Sequence, residues 1–312
     1  MKKVIQFATI FLLFYLCGCT QKAIQEEIPN IDEYTIIFQS VDAMGPTLGL
    51  YDFCEGDVLY LNLKRNFSIP TFVNHHEKYL LGLVDGISYG SGYPGRISTN
   101  QNKMIACKGG YVNQGIESFS FDGDSEEVLL TTPNQVYIYD VGKCEIREVL
   151  FNLDNNCKGA NCDGGLVGTS ITPDRRFLLM GLQNWPTSIS PGAFVLLKYD
   201  LGTKDLTKIG EGVSPSVSHD GKKLAYLGKD GLYLLDLISE KTEKVVDLPA
   251  PNTVFSPKFN WSSNDTQLLF HFEPKSSEDE GFQNLQIIVF DIEEKVKTVL
   301  PVTGLYPAWI SK

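Results

Sequence analysis

Residues 218–237 read SHDGKKLAYLGKDGLYLLDL, and this stretch decides the fold. Its polar start predicts a tight turn, its middle predicts a β-strand, and its Tyr- and Leu-rich end predicts a second strand that stops at Asp236. Short strands around tight turns are common to many β proteins. The architecture therefore depends on whether the pattern recurs along the chain.

The pattern recurs with a nearly constant period. Successive copies are separated by 48, 50, 46, 44 and 48 residues. A period of this size built from short strands indicates one supersecondary unit per repeat, and four-stranded units around an axis make a propeller. The equivalent positions are Asn74, Asp122, Thr172, Ser218, Ser262 and Ile310.

The second half of the repeat ends in an aspartate. Four strands read YIYD, LKYD, YLLD and IVFD before a turn, and a fifth copy near the N-terminus reads LGLYD. Asp side chains bond neighbouring backbone N–H groups in turns, so we interpret these residues as turn formers rather than catalytic groups. They are Asp52, Asp140, Asp200, Asp236 and Asp291.

The last repeat contains only one strand, predicted at Tyr306–Ser311. The N-terminal strands predicted at roughly Tyr34–Ser40, Thr47–Phe53 and Asp57–Leu63 supply the other three. Pairing the two chain ends closes a ring and removes an exposed sheet edge. We therefore predict an all-β fold over residues 33–312. It is a six-bladed β-propeller of four-stranded blades, closed by pairing the C-terminal strand with the N-terminal strands.

Two segments resemble a known repeat family. PSVSHDGKKLAYL and YPAWIS are similar to the WD40-like repeat of TolB-type propellers, which occur in the periplasmic protein TolB and in many secreted bacterial proteins. The resemblance covers nearly all of residues 33–312 and implies the same propeller fold.

The N-terminus carries an export signature. Lys2 and Lys3 precede an apolar run from Val4 to Leu16, which is typical of a signal peptide and shorter than the about 20 residues of a spanning helix. The sequence LCGC, ending at Cys19, resembles the lipobox of bacterial lipoproteins. The resemblance implies a lipoprotein signal peptide at residues 1–18, lipid (palmitate) on Cys19 and a tether at residues 19–32. An ordinary cleaved signal is the alternative.

Net charge limits the classes of partner, and the cysteines indicate disulfides. The net charge of −11 argues against nucleic acid and against a basic patch for anionic lipid, so membrane attachment would come from lipid on Cys19. The expected location is the bacterial cell envelope, facing the periplasm or the cell surface.

Exported chains keep disulfides, and Cys157 and Cys162 share one short polar loop, so we predict that they pair. The pairing of the remaining cysteines (Cys54, Cys107 and Cys144) stays open.

Four long segments fall at one kind of junction. Loops that join strands two and three, and loops that join one blade to the next, lie on the same face of a propeller. The long segments are Asp85–Arg96, Asp154–Gly165, Gln183–Gly192 and Glu273–Asn284. Long loops on a rigid scaffold often carry function. We predict a partner-binding face there, with aromatic and cationic contacts from Tyr89, Tyr93, Arg96, Trp185 and Phe282, although these side chains could simply hold their own loops in place.

Oxygen-rich turns offer a candidate calcium site. Asp154, Asn155, Asn161 and Asp163 have the oxygen donors that Ca²⁺ prefers, although their spacing does not match the twelve-residue EF-hand loop. Solvated turns are the other interpretation, and we expect no other cofactor. The four histidines are spread over distant repeats, and His271 lies inside a strand.

These observations favour a non-catalytic binding scaffold for an envelope protein or glycan. Trp and Tyr are frequent interface anchors, and a propeller presents a broad rigid platform. No set of catalytic residues stands out in the sequence. The alternatives are a hydrolase or lyase that uses carboxylates near the central channel, and a structural subunit of an envelope complex.

Overall fold

The computed structural model describes fourteen segments of the chain. They are residues 36–40, 47–53, 55–61, 67–73, 79–84, 93–98, 103–107, 118–121, 127–140, 142–157, 164–184, 194–248, 258–272 and 285–310.

Nearly all regular structure in these segments is β-strand. The first eleven strands are β1 (Ile36–Ser40), β2 (Thr47–Tyr51), β3 (Val58–Leu61), β4 (Phe67–Val73), β5 (Tyr79–Val84), β6 (Tyr93–Ser98), β7 (Lys103–Ala106), β8 (Ser118–Phe121), β9 (Glu127–Thr131), β10 (Gln135–Asp140) and β11 (Glu145–Asn152). A one-turn helix α1 (Leu153–Asn156) follows. The later strands are β12 (Gly164–Ile171), β13 (Phe177–Asn184), β14 (Phe194–Asp200), β15 (Leu206–Gly210), β16 (Val213–Val217), β17 (Lys223–Gly228), β18 (Gly231–Asp236), β19 (Thr242–Asp247), β20 (Asn260–Trp261), β21 (Gln267–Phe272), β22 (Gln286–Asp291), β23 (Val296–Thr303) and β24 (Leu305–Trp309).

Within the described segments these strands form six four-stranded sheets. Sheet 1 has the order β24-β1-β2-β3, so the last strand pairs antiparallel with the first. Sheets 2 to 6 follow chain order and contain β4–β7, β8–β11, β12–β15, β16–β19 and β20–β23. The predicted all-β architecture of four-stranded blades is confirmed. The strands that form sheet 1 lie within two residues of their predicted bounds.

The hydrophobic core lies between neighbouring sheets. One cluster joins Leu129 and Ile138 of sheet 3 to Leu178 and Met180 of sheet 4. Similar clusters join sheet 4 to 5, sheet 5 to 6, and sheet 6 to 1. Because the middle strands are covered on both faces, they read as continuous apolar runs such as KLAYLG in β17, which is buried from its second residue onward.

The turn between the first and second strands has the same hydrogen bonds in sheets 4, 5 and 6. A Ser or Thr hydroxyl oxygen accepts the backbone N–H five residues later, at 2.9–3.0 Å, and donates to an Asp or Asn two residues later. The fourth residue of each turn is left-handed. The hydroxyl residues are Thr172, Ser218 and Ser262, and the left-handed residues are Arg175, Gly221 and Asp265.

The repeated aspartates are turn formers, as predicted from the sequence. Asp236 Oδ1, for example, accepts the backbone N–H groups of Ile238 and Ser239 at 3.0 and 2.7 Å. The residue four positions after each aspartate has a positive φ. These residues are Gly56, Cys144, Lys204, Glu240 and Lys295.

Side chains also join the first strands of neighbouring sheets. Trp261 Nε1–H donates to the carbonyl oxygen of Ser216 in sheet 5 at 2.9 Å. Trp309 Nε1–H makes the same bond to Asn260 of sheet 6 at 3.1 Å, and the Asn260 amide donates to the carbonyl oxygen of Pro307 at 2.7 Å. Neighbouring sheets are thus held by directional bonds as well as by apolar packing.

A disulfide links sheets 2 and 3. Cys107, directly after β7, is bonded to Cys144 in the turn between β10 and β11, across 37 residues of sequence. The sequence left both cysteines unassigned, because connectivity cannot be deduced from spacing alone. In a chain-entropy account, such a crosslink stabilises the fold by restricting the unfolded chain.

Candidate functional site

The described strands fix where three of the four predicted long segments begin and end. Residues 85–92 join β5 to β6, residues 185–193 join β13 to β14, and residues 273–285 join β21 to β22. Each therefore connects the second and third strands of its sheet. Because sheets 2, 4 and 6 have the same strand order, the three connections leave the sheets at equivalent edges. We call this edge the long-loop face.

The predicted contact residues are only partly covered by the structure. Tyr93 and Arg96 belong to β6, where their backbones pair with Val84 and Leu81 of β5. Tyr89, Trp185 and Phe282 lie outside the described residues, as does Cys19. Their contribution to a binding face stays a prediction.

The fourth long segment begins as a helix rather than as an open loop. Asn152 caps α1, because its side-chain oxygen accepts the N–H of Asn155 at 3.1 Å. Asn156 Nδ2–H donates to the Tyr199 hydroxyl of sheet 4 at 3.1 Å, which ties the helix to the next sheet. Local side-chain bonds of this kind stabilise a single turn.

Only some of the predicted calcium ligands, and only one of the two cysteines predicted to pair, belong to the described residues. Asp154 and Asn155 are exposed on α1, whereas Asn161, Asp163 and Cys162 lie outside the described residues. Cys157 is itself disulfide-bonded. No group of three or more His, Cys, Asp or Glu side chains in the described segments is arranged to hold a metal ion. No helix there is long and apolar enough to cross a membrane.

Three of the first strands contain a bulge three residues before the last residue of the strand. Gly168 in β12, Ser214 in β16 and Tyr306 in β24 have φ of 79°, 55° and 49°, and the pairing register shifts at each of them. They occupy the same repeat position, three residues before Ile171, Val217 and Trp309, and Lys258 holds this position in sheet 6. We call these four residues the inner rim. A bulge interrupts the ladder and re-aims a side chain.

The bulges pack closely against neighbouring sheets. A Cβ added to Gly181 of β13 would lie 2.8 Å from the Cα of Val213, next to Ser214. At the equivalent position of β21, His271 Nδ1 accepts the backbone N–H of Tyr306 at 3.3 Å, and the two rings meet edge to face at 5.3 Å. The residue at this strand position therefore supports the rim residue of the next sheet.

Two basic groups, one in the inner rim and one beside it, have unusual protonation. His271 is 1% exposed, and desolvation lowers its pKa to about 3, so its ring is neutral at pH 7. Lys258 is partly buried, and desolvation lowers the pKa of its ammonium group to about 7. A lysine amine that is partly neutral at pH 7 can accept as well as donate hydrogen bonds.

The turn side of the sheets shows structural carboxylates. Backbone N–H donors, led by those of Thr203 and Ser239, lower the pKa of Asp200 and Asp236 below the usual value. A backbone N–H and a serine hydroxyl lower the pKa of Asp220 in the same way. A carboxylate held in its charged form by turn bonds is a poor general acid, so these groups are unsuited to donating a proton to a substrate.

Sequence reasoning missed Lys258 and His271. A signal for the rim does exist, because Ser214-Pro215 and Tyr306-Pro307 recur at one repeat position, four residues before Ser218 and Ile310, and Ile69-Pro70 lies one residue further from Asn74. His271 gave no signal of its own, because a histidine within an apolar strand has the pattern of an ordinary core residue.

Sequence comparison and structure comparison give different results. No family model matches the sequence, and no curated protein matches it. Among solved structures, TolB from Acinetobacter baumannii superposes with a TM-score of 0.65 at 14% identity, covering 92% of this chain and 68% of the TolB chain. A chain of the nidogen/laminin complex gives 0.60 at 10% identity, covering 88% of this chain and 97% of its own.

Enzymes share the fold as well. A luciferin-regenerating enzyme superposes with a TM-score of 0.51 at 14% identity, with coverage of 77% of this chain and 76% of that chain. At such identities the similarity establishes a β-propeller fold similar to that of TolB. It carries no activity to this chain.

Proposed function

We propose that this protein is a non-catalytic binding scaffold that holds an envelope protein or glycan on its long-loop face. The observation that carries the proposal is that three long connections leave sheets 2, 4 and 6 at the same junction. Connections anchored at equivalent edges of rigid sheets can form one continuous surface. Ser214 and Tyr306 of the inner rim are the second residues of β16 and β24, and Lys258 precedes β20, so these three lie toward the ends of the first strands on the long-loop side.

The scaffold itself is proposed to be a closed ring of six blades. Contacts of β24 with β20 and β21 of sheet 6 and with β4 of sheet 2 support this arrangement. The pairing of β24 with β1 then joins the two chain ends in one blade. A closed ring has no large hinge, which suits a platform for recognition. The nidogen/laminin complex supports protein binding by analogy of fold alone.

Loss of two aromatic side chains that are predicted to lie on the long-loop face is expected to weaken partner capture strongly. The test is crosslinking and pulldown from native membranes, with the wild type beside a Trp185→Ala, Tyr93→Ala double variant. Removal of two interface aromatics typically weakens binding by about tenfold or more. The matched control is Ile238→Ala, which removes a side chain 75% exposed in the turn between β18 and β19. A partner captured equally by wild type and a folded double variant would place recognition elsewhere.

Anchoring at the membrane is proposed to depend on lipid attached to Cys19. We expect the Cys19→Ala variant to move from the membrane fraction to the soluble fraction, because the net charge of −11 offers no electrostatic attachment to anionic lipid. Fractionation followed by mass spectrometry of the mature N-terminus measures this. An unchanged membrane fraction for the variant would contradict the lipid anchor.

A further inference from the structure

A polar cleft lies between sheets 3 and 4, on the turn side opposite the long-loop face. Its volume is about 350 Å³, within the range of small-molecule sites. The floor includes the apolar side chains of Ile138, Leu150, Ile171 and Leu201. The charged side chains around it are those of Glu127, Arg147, Glu148, Arg175 and Lys204.

A buried carboxylate positions two arginines at this cleft. Glu127 is 7% exposed, and its Oε2 accepts Arg175 Nη2–H at 2.9 Å while its Oε1 contacts Arg147. The arginine side chains are about half exposed, at 53% for Arg147 and 47% for Arg175. A guanidinium carries five N–H donors in a planar fork, so that of Arg147 can bind a second anion without giving up Glu127.

Two of the three cations sit on left-handed backbone. Arg175 has a φ of 55° and Lys204 a φ of 67°, in the two turns of sheet 4 that border the cleft. Lys204 is further held by its ammonium group, which lies 5.9 Å from the centre of the Tyr199 ring. Residues in this conformation are uncommon outside Gly, Asn and Asp. In sheet 4 this backbone conformation occurs at Arg175 and Lys204, and both side chains line the cleft.

The equivalent positions between sheets 5 and 6 show what a purely structural contact looks like. There the residue matching Arg147 is Glu243, and it pairs with Lys295, which matches Lys204. The residue matching Arg175 is Asp265, which accepts the N–H groups of His219 and Asp220 at 2.9 Å. At these positions one cation is paired with one carboxylate, and the second carboxylate is bound by backbone N–H groups. Between sheets 3 and 4, three cations converge at these same positions.

We propose that the cleft binds a monocarboxylate that carries an apolar group. Among the residues that the structure describes, three cations and two carboxylates line it, an excess of one positive charge that matches a carboxylate better than a doubly charged phosphate. The paired arginine forks suit the planar carboxylate, and the apolar floor accepts the attached hydrocarbon. Two sources have this chemistry: a free acid, and the C-terminal carboxylate of a peptide that ends in an apolar residue.

The test is calorimetric titration of the purified full-length protein at low ionic strength. The probes are N-acetyl-L-leucine, the peptide acetyl-Gly-Gly-Leu, and the C-terminal amide of each. Each carboxylate should bind about tenfold or more tightly than its amide, because the amide loses the charge-assisted bonds. Binding should weaken as salt is added. A peptide that binds more tightly than the free acid identifies a chain terminus as the source, and equal binding identifies a free acid.

Arg147→Gln and Lys204→Gln should each weaken carboxylate binding by about tenfold while melting stays cooperative. The matched control is Lys297→Gln, an exposed lysine on β23 outside the cleft, which should bind as the wild type does. Equal affinity for acid and amide, absence of binding up to about 10 mM, or unchanged affinity in both cleft variants would overturn the proposal. Each of these results is independent of recognition at the long-loop face.

Discussion

Replacement of Trp261 by alanine is expected to lower the free energy of unfolding by roughly 3–5 kcal/mol. The side chain is 5% exposed and packs in the cluster that joins sheets 5 and 6. Its loss leaves a cavity at this junction and removes the bond from Nε1–H to the carbonyl oxygen of Ser216. Both losses weaken the contact between β16 and β20, so both lower the free energy of unfolding.

Denaturant titration measures the effect, and two further variants separate its causes. Trp261→Phe keeps most of the apolar volume but leaves the Ser216 carbonyl oxygen without this donor, and should cost about 1 kcal/mol. Ile238→Ala, at a side chain 75% exposed, should change the free energy of unfolding by less than about 0.5 kcal/mol. A Trp261→Ala variant as stable as the Ile238→Ala variant would show that the sheets do not depend on this contact.

Acidification is expected to destabilise the protein through His271, and the His271→Leu variant should lose part of that sensitivity. Burial lowers the pKa of His271 to about 3, whereas an unfolded histidine titrates near 6.5. Between these values the unfolded chain binds a proton that the native state does not. Stability from this residue is therefore complete above about pH 6.5 and is lost as the pH falls toward 3.

The expected size of the His271 effect is about 3 kcal/mol at pH 4. Urea titrations at pH 8 and pH 4 measure it as the difference between wild type and His271→Leu. Leucine is a suitable replacement, because Leu227 occupies the equivalent strand position in sheet 5 and is also buried. At pH 8 the variant should be no more stable than wild type, since it loses the bond to the Tyr306 N–H. Parallel pH curves for the two proteins would contradict a buried neutral His271.

The parts of the fold that could be predicted from the sequence are those set by local chemistry. Asp236 and Ser218 bond backbone groups within five residues, so the residue type and the turn can be read from one short segment. Repetition of these turns then indicated four-stranded units. Strand bounds followed for the same reason, and β24 was placed within two residues.

The parts that could not be predicted depend on pairs of residues one repeat apart. Trp261 and Ser216 are 45 residues apart, and Arg175 and Glu127 are 48 apart, so each contact exists only once neighbouring sheets pack. Arg175 looked like an ordinary turn residue in sequence, and its pairing with a buried glutamate required the register of two sheets. The bond between Cys107 and Cys144 was hidden in the same way, because many pairings fit one count of cysteines.

The placement of β24 beside β1 also sets an order of events during synthesis. Strand β1 is complete by Ser40, but β24, which pairs with the edge of β1 opposite β2, begins only at Leu305. At about 5–20 residues per second, a ribosome needs some tens of seconds to make the intervening chain. Throughout that interval the nascent chain carries an open edge at β1, which can pair with the strands of another chain. Any nascent chain released before β24 keeps that edge, so chaperone binding and quality control should act chiefly on such unfinished chains.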